Sequence, residues 1–324
     1  MLAVSGDQPL VLCVRPPEGH GARFGRAYGL PYGPFDPERH RTFEEGLRSW
    51  VEEQTYVRLG YVEQLYTFGD KGREAPVAAL GDAAETGSRV VSVGYLALTP
   101  EAEDVAAPGA SWRDWYRFFP WEDWRDGPPP AIADAIAPGL QAWSGDNVGR
   151  WARSKTCFGL DDAPWDEEKV LDRYELLYEA GLVAEARRDR PSQGAALADE
   201  KASLLGEPMI SDHRRILATA IGRLRGKLKY RPVVFEMMER TFTLLELQRT
   251  VEAISGFLLH KQNFRRTAQT SGLVERTSNI STKTGGRPAA EFRFRREILR
   301  EFAGSGLHIP RPSFARSQEE ARET

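Results

Sequence analysis

The sequence predicts an α+β protein of two unlike parts: a mixed sheet with helices, then a basic helical module that closes in a β-hairpin. Two observations carry this. Short β-branched and aromatic runs alternate with one well-marked helix over residues 1–118, whereas residues from Ser211 onward show helical periodicity and end in two strand-like runs. Charge divides the chain in the same way. Residues 211–300 hold 19 Lys+Arg against 8 Asp+Glu, a net of +11, although the whole 324-residue chain has a net charge of −3. An acidic body carrying a basic module implies a polyanion as that module's partner.

Composition narrows the class. At 41% hydrophobic and 28% charged residues the chain reads as an ordinary soluble protein. Its longest apolar runs fall short of the roughly 18 residues a membrane span needs. The N-terminus has no basic stretch leading into an apolar one, so a secretion signal is not expected and the expected location is cytoplasmic. Two cysteines, Cys13 and Cys157, without a CxxC pair, imply neither a disulfide framework nor a thiolate zinc site. Neither a metal site nor a required cofactor is expected.

In the first part, Leu10–Arg15 reads as a buried strand, and 61–68 and 90–98 as further strands separated by a glycine-containing loop over 69–88. The spacing predicts a helix over 41–54. Thr42 and Glu45 are placed to form a capping box, and Phe43, Leu47, Trp50 and Val51 to form the buried stripe. Residues 119–205 are Trp- and Pro-rich and carry two expected helices, about 132–143 and 166–180; we expect a helical interdomain insertion. Gly181 ends the second helix, and 187–194 reads as a polar linker.

The basic module, 206–302, begins with a helix for which Ser211 is the expected cap, with Leu217, Ile221, Leu224 and Leu228 as its apolar stripe. Thr243-Leu244-Leu245-Glu246 is a capping box, Leu247, Val251 and Ile254 face inward, and Gly256 ends that helix. A short turn then leads to a helix over 260–271. Phe264, Thr267 and Ala268 share its inner face, while Lys261, Gln262, Asn263, Arg265, Arg266 and Gln269 project outward or flank it. Helix, turn, helix is a duplex-reading plan: Asn and Gln can pair bidentately with adenine, Arg with guanine, and Lys with phosphates. Two strand-like runs, 273–277 and 290–294, follow. They bracket a Gly-Gly loop with Lys283 and Arg287, which reads as a wing able to reach a groove or the backbone. A solvated basic face that binds protein is the alternative. The tail, 303–324, is expected to fray.

Helix 41–54 also carries Arg48, Glu52 and Glu53 at the spacing of the Nudix box, whose helix carboxylates hold divalent metal against a diphosphate. Ser49 stands where the first metal-binding Glu belongs, Thr55 replaces a Gly, and His40 occupies the upstream Glu position, so hydrolysis is not expected. On these residues alone, the three side chains could equally be a solvated face with an Arg48–Glu52 pair.

Further motifs bear on that choice: 28–33 (YGLPYG), 61–70 (YVEQLYTFGD), 89–98 (RVVSVGYLAL), 212–217 (DHRRIL), 224–228 (LRGKL), 263–266 (NFRR) and 285–288 (GGRP). With these, residues 1–98 and 208–296 resemble the Nudix-related transcriptional regulators of NAD metabolism, the NrtR family. That resemblance implies a Nudix-like sheet between helices, a C-terminal winged helix-turn-helix, and a homodimer on a double-stranded operator. It further implies repression of NAD biosynthesis or salvage genes in response to ADP-ribose or a related nucleotide. Carried over residue by residue, it places Arg48, Glu52 and Glu53 in the effector cleft, with Glu63, Asp70 and Arg73 as further candidates, and Arg265, Arg266 and Arg287 on DNA. The rival reading is an active Nudix pyrophosphatase acting on ADP-ribose or a related nucleotide. Residues 99–207 exceed the family's short linker.

Overall fold

In the computed structural model, residues 1–16, 27–70, 90–100, 102, 105–190, 199–281 and 288–297 are described. The candidates Arg73, Lys283 and Arg287 and the tail 303–324 lie outside them, as do most of the 69–88 loop and the end of the 187–194 linker.

Five strands form a mixed sheet: β1 (Leu2–Ser5), β2 (Gln8–Val14), β3 (Tyr61–Phe68), β4 (Ser92–Leu98) and β5 (Ala110–Asp114), in the order β3-β4-β1-β2-β5. β1 and β4 run parallel and the other neighbours antiparallel. Val11, Leu12 and Cys13 are fully buried in β2, as the continuous apolar run requires. β1 and β5 are too short to show a period of their own, and the sequence did not reveal them.

Helix α1 (Phe43–Thr55) matches the expected span, but its first turn differs in two respects. The Thr42 hydroxyl accepts from Glu45 N–H (3.1 Å) as a cap should, yet the Glu45 carboxylate accepts from Arg41 N–H (3.0 Å), one residue earlier than a capping box requires. Phe43 is 51% exposed rather than buried, its ring tilted against Phe35 with centroids 4.3 Å apart. Tyr56 ends the helix in the left-handed region (φ 60°).

Between the sheet and the basic module the chain is helical. A π-helical turn (Ile132–Ile136) runs into α2 (Ala137–Ser144), where Pro138 lacks the N–H that an α-helical ladder would use. Then come α3 (Val148–Phe158), capped by Asn147, α4 (Val170–Glu179), α5 (Ala184–Asp189) and α6 (Asp199–Ser203). Helix α3 was not anticipated, because its exposed face outweighs its few buried residues.

The basic module comprises α7 (His213–Tyr230), β6 (Phe242–Thr243), α8 (Leu244–Ser255), α9 (Lys261–Thr270), β7 (Val274–Ser281) and β8 (Ala289–Phe294). The three strands pair in the order β6-β8-β7, giving a winged helix-turn-helix. Ser211 does not cap α7. Its φ is +45°, whereas a capping residue needs extended backbone, and its carbonyl accepts from Arg188 Nη2 (2.8 Å). The stripe Leu217, Ile221, Leu224 and Leu228 is buried as expected.

One hydrophobic cluster joins strands β1–β4, helices α2–α5 and the basic module. α7 packs on β3, β4 and α4, and α8 packs on β1 and β2. At its centre is a fully buried ionic lock. The Glu122 carboxylate accepts from Arg173 Nε (2.5 Å) and Nη2 (2.7 Å) on α4, and from Arg225 Nη1 (2.6 Å) on α7. Arg225 also donates to Ile254 O on α8 (2.8 Å). Gly256, at φ +84°, leaves no room for a side chain there: a Cβ would sit 2.4 Å from Glu122 O.

Candidate nucleic-acid interface and nucleotide site

α9 presents Phe264 and Ala268 to the core and Lys261, Gln262, Asn263, Arg265, Arg266 and Gln269 to solvent. Its aim is set by the preceding turn. Glu252, buried on α8, accepts from Leu259 N–H (2.8 Å) and from Gln248 Nε2 (2.8 Å), and Gln248 also reaches Leu259 O (3.1 Å). The Thr243 capping box is complete, with the hydroxyl accepting from Glu246 N–H (3.2 Å) and the carboxylate from Thr243 N–H (2.6 Å). β6 pairs with β8 through Phe242 and Phe292, and Phe294 stacks on Phe235 at 4.2 Å, so the hairpin is fastened to the start of α8.

Among the described residues, Arg265 and Arg266 meet no acidic side chain, which leaves both guanidiniums available to an outside anion. The same holds for Arg249 on α8 and Arg276 on β7, both exposed. Sequence reading passed over these two. Arg249 stands opposite the buried Leu247 and Val251, which is the signal that would have found it.

The second candidate site is assembled differently from its expectation. Arg48 bonds Glu44 (3.0 Å) and the carbonyls of Leu59 (2.5 Å) and Gly60 (3.2 Å), tying α1 to the entry of β3; it does not pair with Glu52. Glu52 pairs with Arg58 (3.1 Å), and Glu53 accepts from the Ser49 hydroxyl (3.2 Å). Glu63 forms an ion pair with Lys227 of α7 and accepts from Tyr61 O–H (2.5 Å); burial first, then this neighbour, push the Tyr61 phenol up from its ordinary value. Asp70 pairs with Arg215 of α7. Two of the carboxylates expected to face a ligand are thus turned toward the long helix of the basic module, because that helix packs on the β3 edge. His40 is buried, its Nδ1 accepting from Asp36 N–H (3.3 Å), and Thr55 donates to Val51 O (2.6 Å).

The approach to α1 is held by a second histidine. His213 is buried at the start of α7 and its Nδ1 accepts from Leu30 N–H (2.9 Å), while Tyr32 meets its ring edge-on. Burial, with Arg188 adding to it, lowers its pKa from 6.5 to about 4. Gly33 lies flat on Trp50, where a Cβ would come within 2.1 Å of the indole.

Comparison with known proteins places this architecture. The structure aligns with Shewanella oneidensis NrtR complexed with a 27mer DNA over 96% of both chains (TM-score 0.53, 18% identity). It aligns with a MutT/nudix family protein from Enterococcus faecalis over 91% of this chain and 84% of that one (TM-score 0.50, 17% identity). At these identities the alignments establish the fold, a Nudix-like sheet joined to a winged helix. The C-terminal module is placed more narrowly: residues 234–294 match the NrtR DNA-binding winged helix domain. A curated relative, the ADPR responsive transcriptional repressor NtrR of Acinetobacter baylyi, is 42% identical over 83 residues. That alignment spans 26% of this chain and 33% of the relative.

Proposed function

We propose that the chain is a ligand-responsive transcriptional repressor of NAD biosynthesis or salvage genes. The observation that carries this reading is the exposed α9 face, with Arg265 and Arg266 unpaired among the described residues, beside a three-stranded wing sheet. Lys261 and Lys283 would hold phosphates, and Gln262, Asn263, Arg265, Arg266, Gln269 and Arg287 would read or clamp the grooves. The protein would act as a homodimer in the cytoplasm, each winged helix taking one half-site about a helical turn from the other.

In this reading residues 1–118 sense the effector, 119–205 bridge, and 206–302 bind DNA. ADP-ribose is the favoured effector, since the Acinetobacter relative is named as ADPR-responsive. It would bind against α1 and β3 without hydrolysis, because Ser49 supplies a hydroxyl where diphosphate chemistry needs a metal-binding carboxylate. The ion pairs Glu63–Lys227 and Asp70–Arg215 give that site a direct line to α7. An effector that favours one arrangement of this junction would shift DNA affinity by its differential affinity for the two states.

The test is a gel-shift titration on duplexes from upstream of NAD-pathway genes at several salt concentrations, with and without ADP-ribose. A salt-sensitive specific complex that ADP-ribose alters supports the reading; no salt-sensitive association with any duplex overturns it. Calorimetry with NAD, ADP-ribose, nicotinate mononucleotide and ATP identifies the effector. Metal-dependent turnover of ADP-ribose that is lost in Glu53→Gln would replace the sensing role with a pyrophosphatase.

A further inference from the structure

Away from both sites, a partly open cleft of about 620 Å³ lies where the bridging helices meet the strand-to-helix junction of the sheet. Its walls are Pro120, Pro129, Pro130, Ala184, Ala202 and Leu204. Prolines bring fixed backbone and no N–H, so these walls are both preformed and short of donors. One side is rigidly backed. Glu207 N–H donates to Arg117 O (2.8 Å), and Gly206, at φ +77°, fits so closely that a Cβ would lie 2.6 Å from Phe118 O.

Charge enters this apolar space through three side chains. Arg117 and Glu207 form an ion pair across the rim (2.5 Å), and Arg187 also lines the cleft. Arg187 meets no acidic side chain among the described residues. Its neighbour Arg188 is differently employed, bonding Asp189 (2.7 Å), Met209 O (3.0 Å) and Ser211 O (2.8 Å) at the entry to α7. The lining therefore carries a net positive charge, two guanidiniums against one carboxylate, around an apolar body of drug-like size.

We propose that this cleft is a second ligand site, selective for a small organic anion with an apolar body, such as an aromatic or branched carboxylate or sulfonate. The apolar part fills the space between the prolines and Leu204, and the acid group takes the planar donors of Arg187. None of the residues of α1 or β3 lines it, so it is independent of the nucleotide site and of the regulatory reading.

Anilinonaphthalene sulfonate is a probe of this class, and the uncharged phenylnaphthylamine is its control. Fluorescence titration of the full chain should show a single sulfonate site, with the control binding more weakly. Arg187→Glu should weaken the sulfonate about tenfold or more, the loss of one charge-assisted contact, and leave the control unchanged. Ala202→Trp, which fills the cleft, should remove both. The proposal is overturned if the sulfonate does not bind, if it binds Arg187→Glu as it binds the parent protein, or if both dyes lose affinity equally in that variant. Thermal unfolding of each variant verifies the fold, and Arg187→Glu suffices should Ala202→Trp fail to fold. No step needs DNA, so a failed gel shift leaves this result standing.

Discussion

Replacing Glu122 with Ala removes the acid from a lock in which all three side chains are 0% exposed. The carboxylate accepts three charge-assisted hydrogen bonds, two from Arg173 and one from Arg225. Truncation leaves two buried guanidiniums without an anion, and breaking such a network by removing one partner costs about 3–5 kcal/mol. The lower end is expected here, because each arginine keeps other acceptors. Arg173 retains Asp166 O (2.8 Å) and the Trp165 face at 3.8 Å, and Arg225 retains Ile254 O (2.8 Å) and Glu167 O (3.1 Å). The loss, about 3 kcal/mol, is a large fraction of the roughly 5–15 kcal/mol that stabilises a typical protein. Urea unfolding followed by tryptophan fluorescence measures it. The pH dependence gives a second check. Burial by itself raises the Glu122 pKa, but Arg173 and Arg225 outweigh it and hold the group below the ordinary carboxylate range. A depressed folded pKa contributes stability above the unfolded value, about 4.3, and that contribution is lost as pH falls below it. The penalty of Glu122→Ala should accordingly be full at neutral pH and shrink below about pH 4.3. A loss under about 1 kcal/mol at neutral pH would refute the assignment of this lock as a major contributor.

Other outcomes are expected. Arg266→Ala should weaken specific duplex binding by about 1–3 kcal/mol and relax specificity at one position, whereas Lys283→Ala should weaken all sequences alike and lower the salt slope by about one; fluorescence anisotropy across salt concentrations separates them. His213, with its pKa near 4 against 6.5 when exposed, stays neutral in the fold, so stability should fall between about pH 6.5 and 4 by about 3 kcal/mol. His213→Asn, which keeps an acceptor for Leu30 N–H, should flatten that slope in pH-dependent urea titrations. Thr243→Ala breaks the complete capping box and should cost about 1 kcal/mol, read as a shift in urea midpoint at constant slope.

Legibility in the sequence followed the range of the interactions. β3 at Tyr61–Phe68, the Thr243 box and the two-faced α9 were readable because each rests on residues within one turn or one strand. Ser211 was misjudged because nothing in its neighbours in sequence signals its left-handed backbone, and its carbonyl is held from a distance by Arg188 on α5. Glu122 carried no local signal at all. Its partners are 51 and 103 positions away, and nothing in a Trp-Glu-Asp-Trp run distinguishes a lock from a surface acid. The same applies to Glu63 and Asp70, whose pairing with Lys227 and Arg215 depends on how α7 crosses the sheet edge. β6 is two residues long, below any periodicity, and shows itself only through its pairing with Phe292 and Glu291.

The tight seat of Gly256 against Glu122 has a mechanical consequence. Trp124 N–H also bonds the Gly256 carbonyl (2.6 Å), and Tyr116 O–H bonds Ala253 O (2.8 Å), so the elbow of the reading head is bolted to its pedestal on both faces. A swing of α9 about that elbow would have to tear those bolts out. Re-aiming the head without breaking those contacts would carry the pedestal along with it, as a lever turns with its fulcrum block.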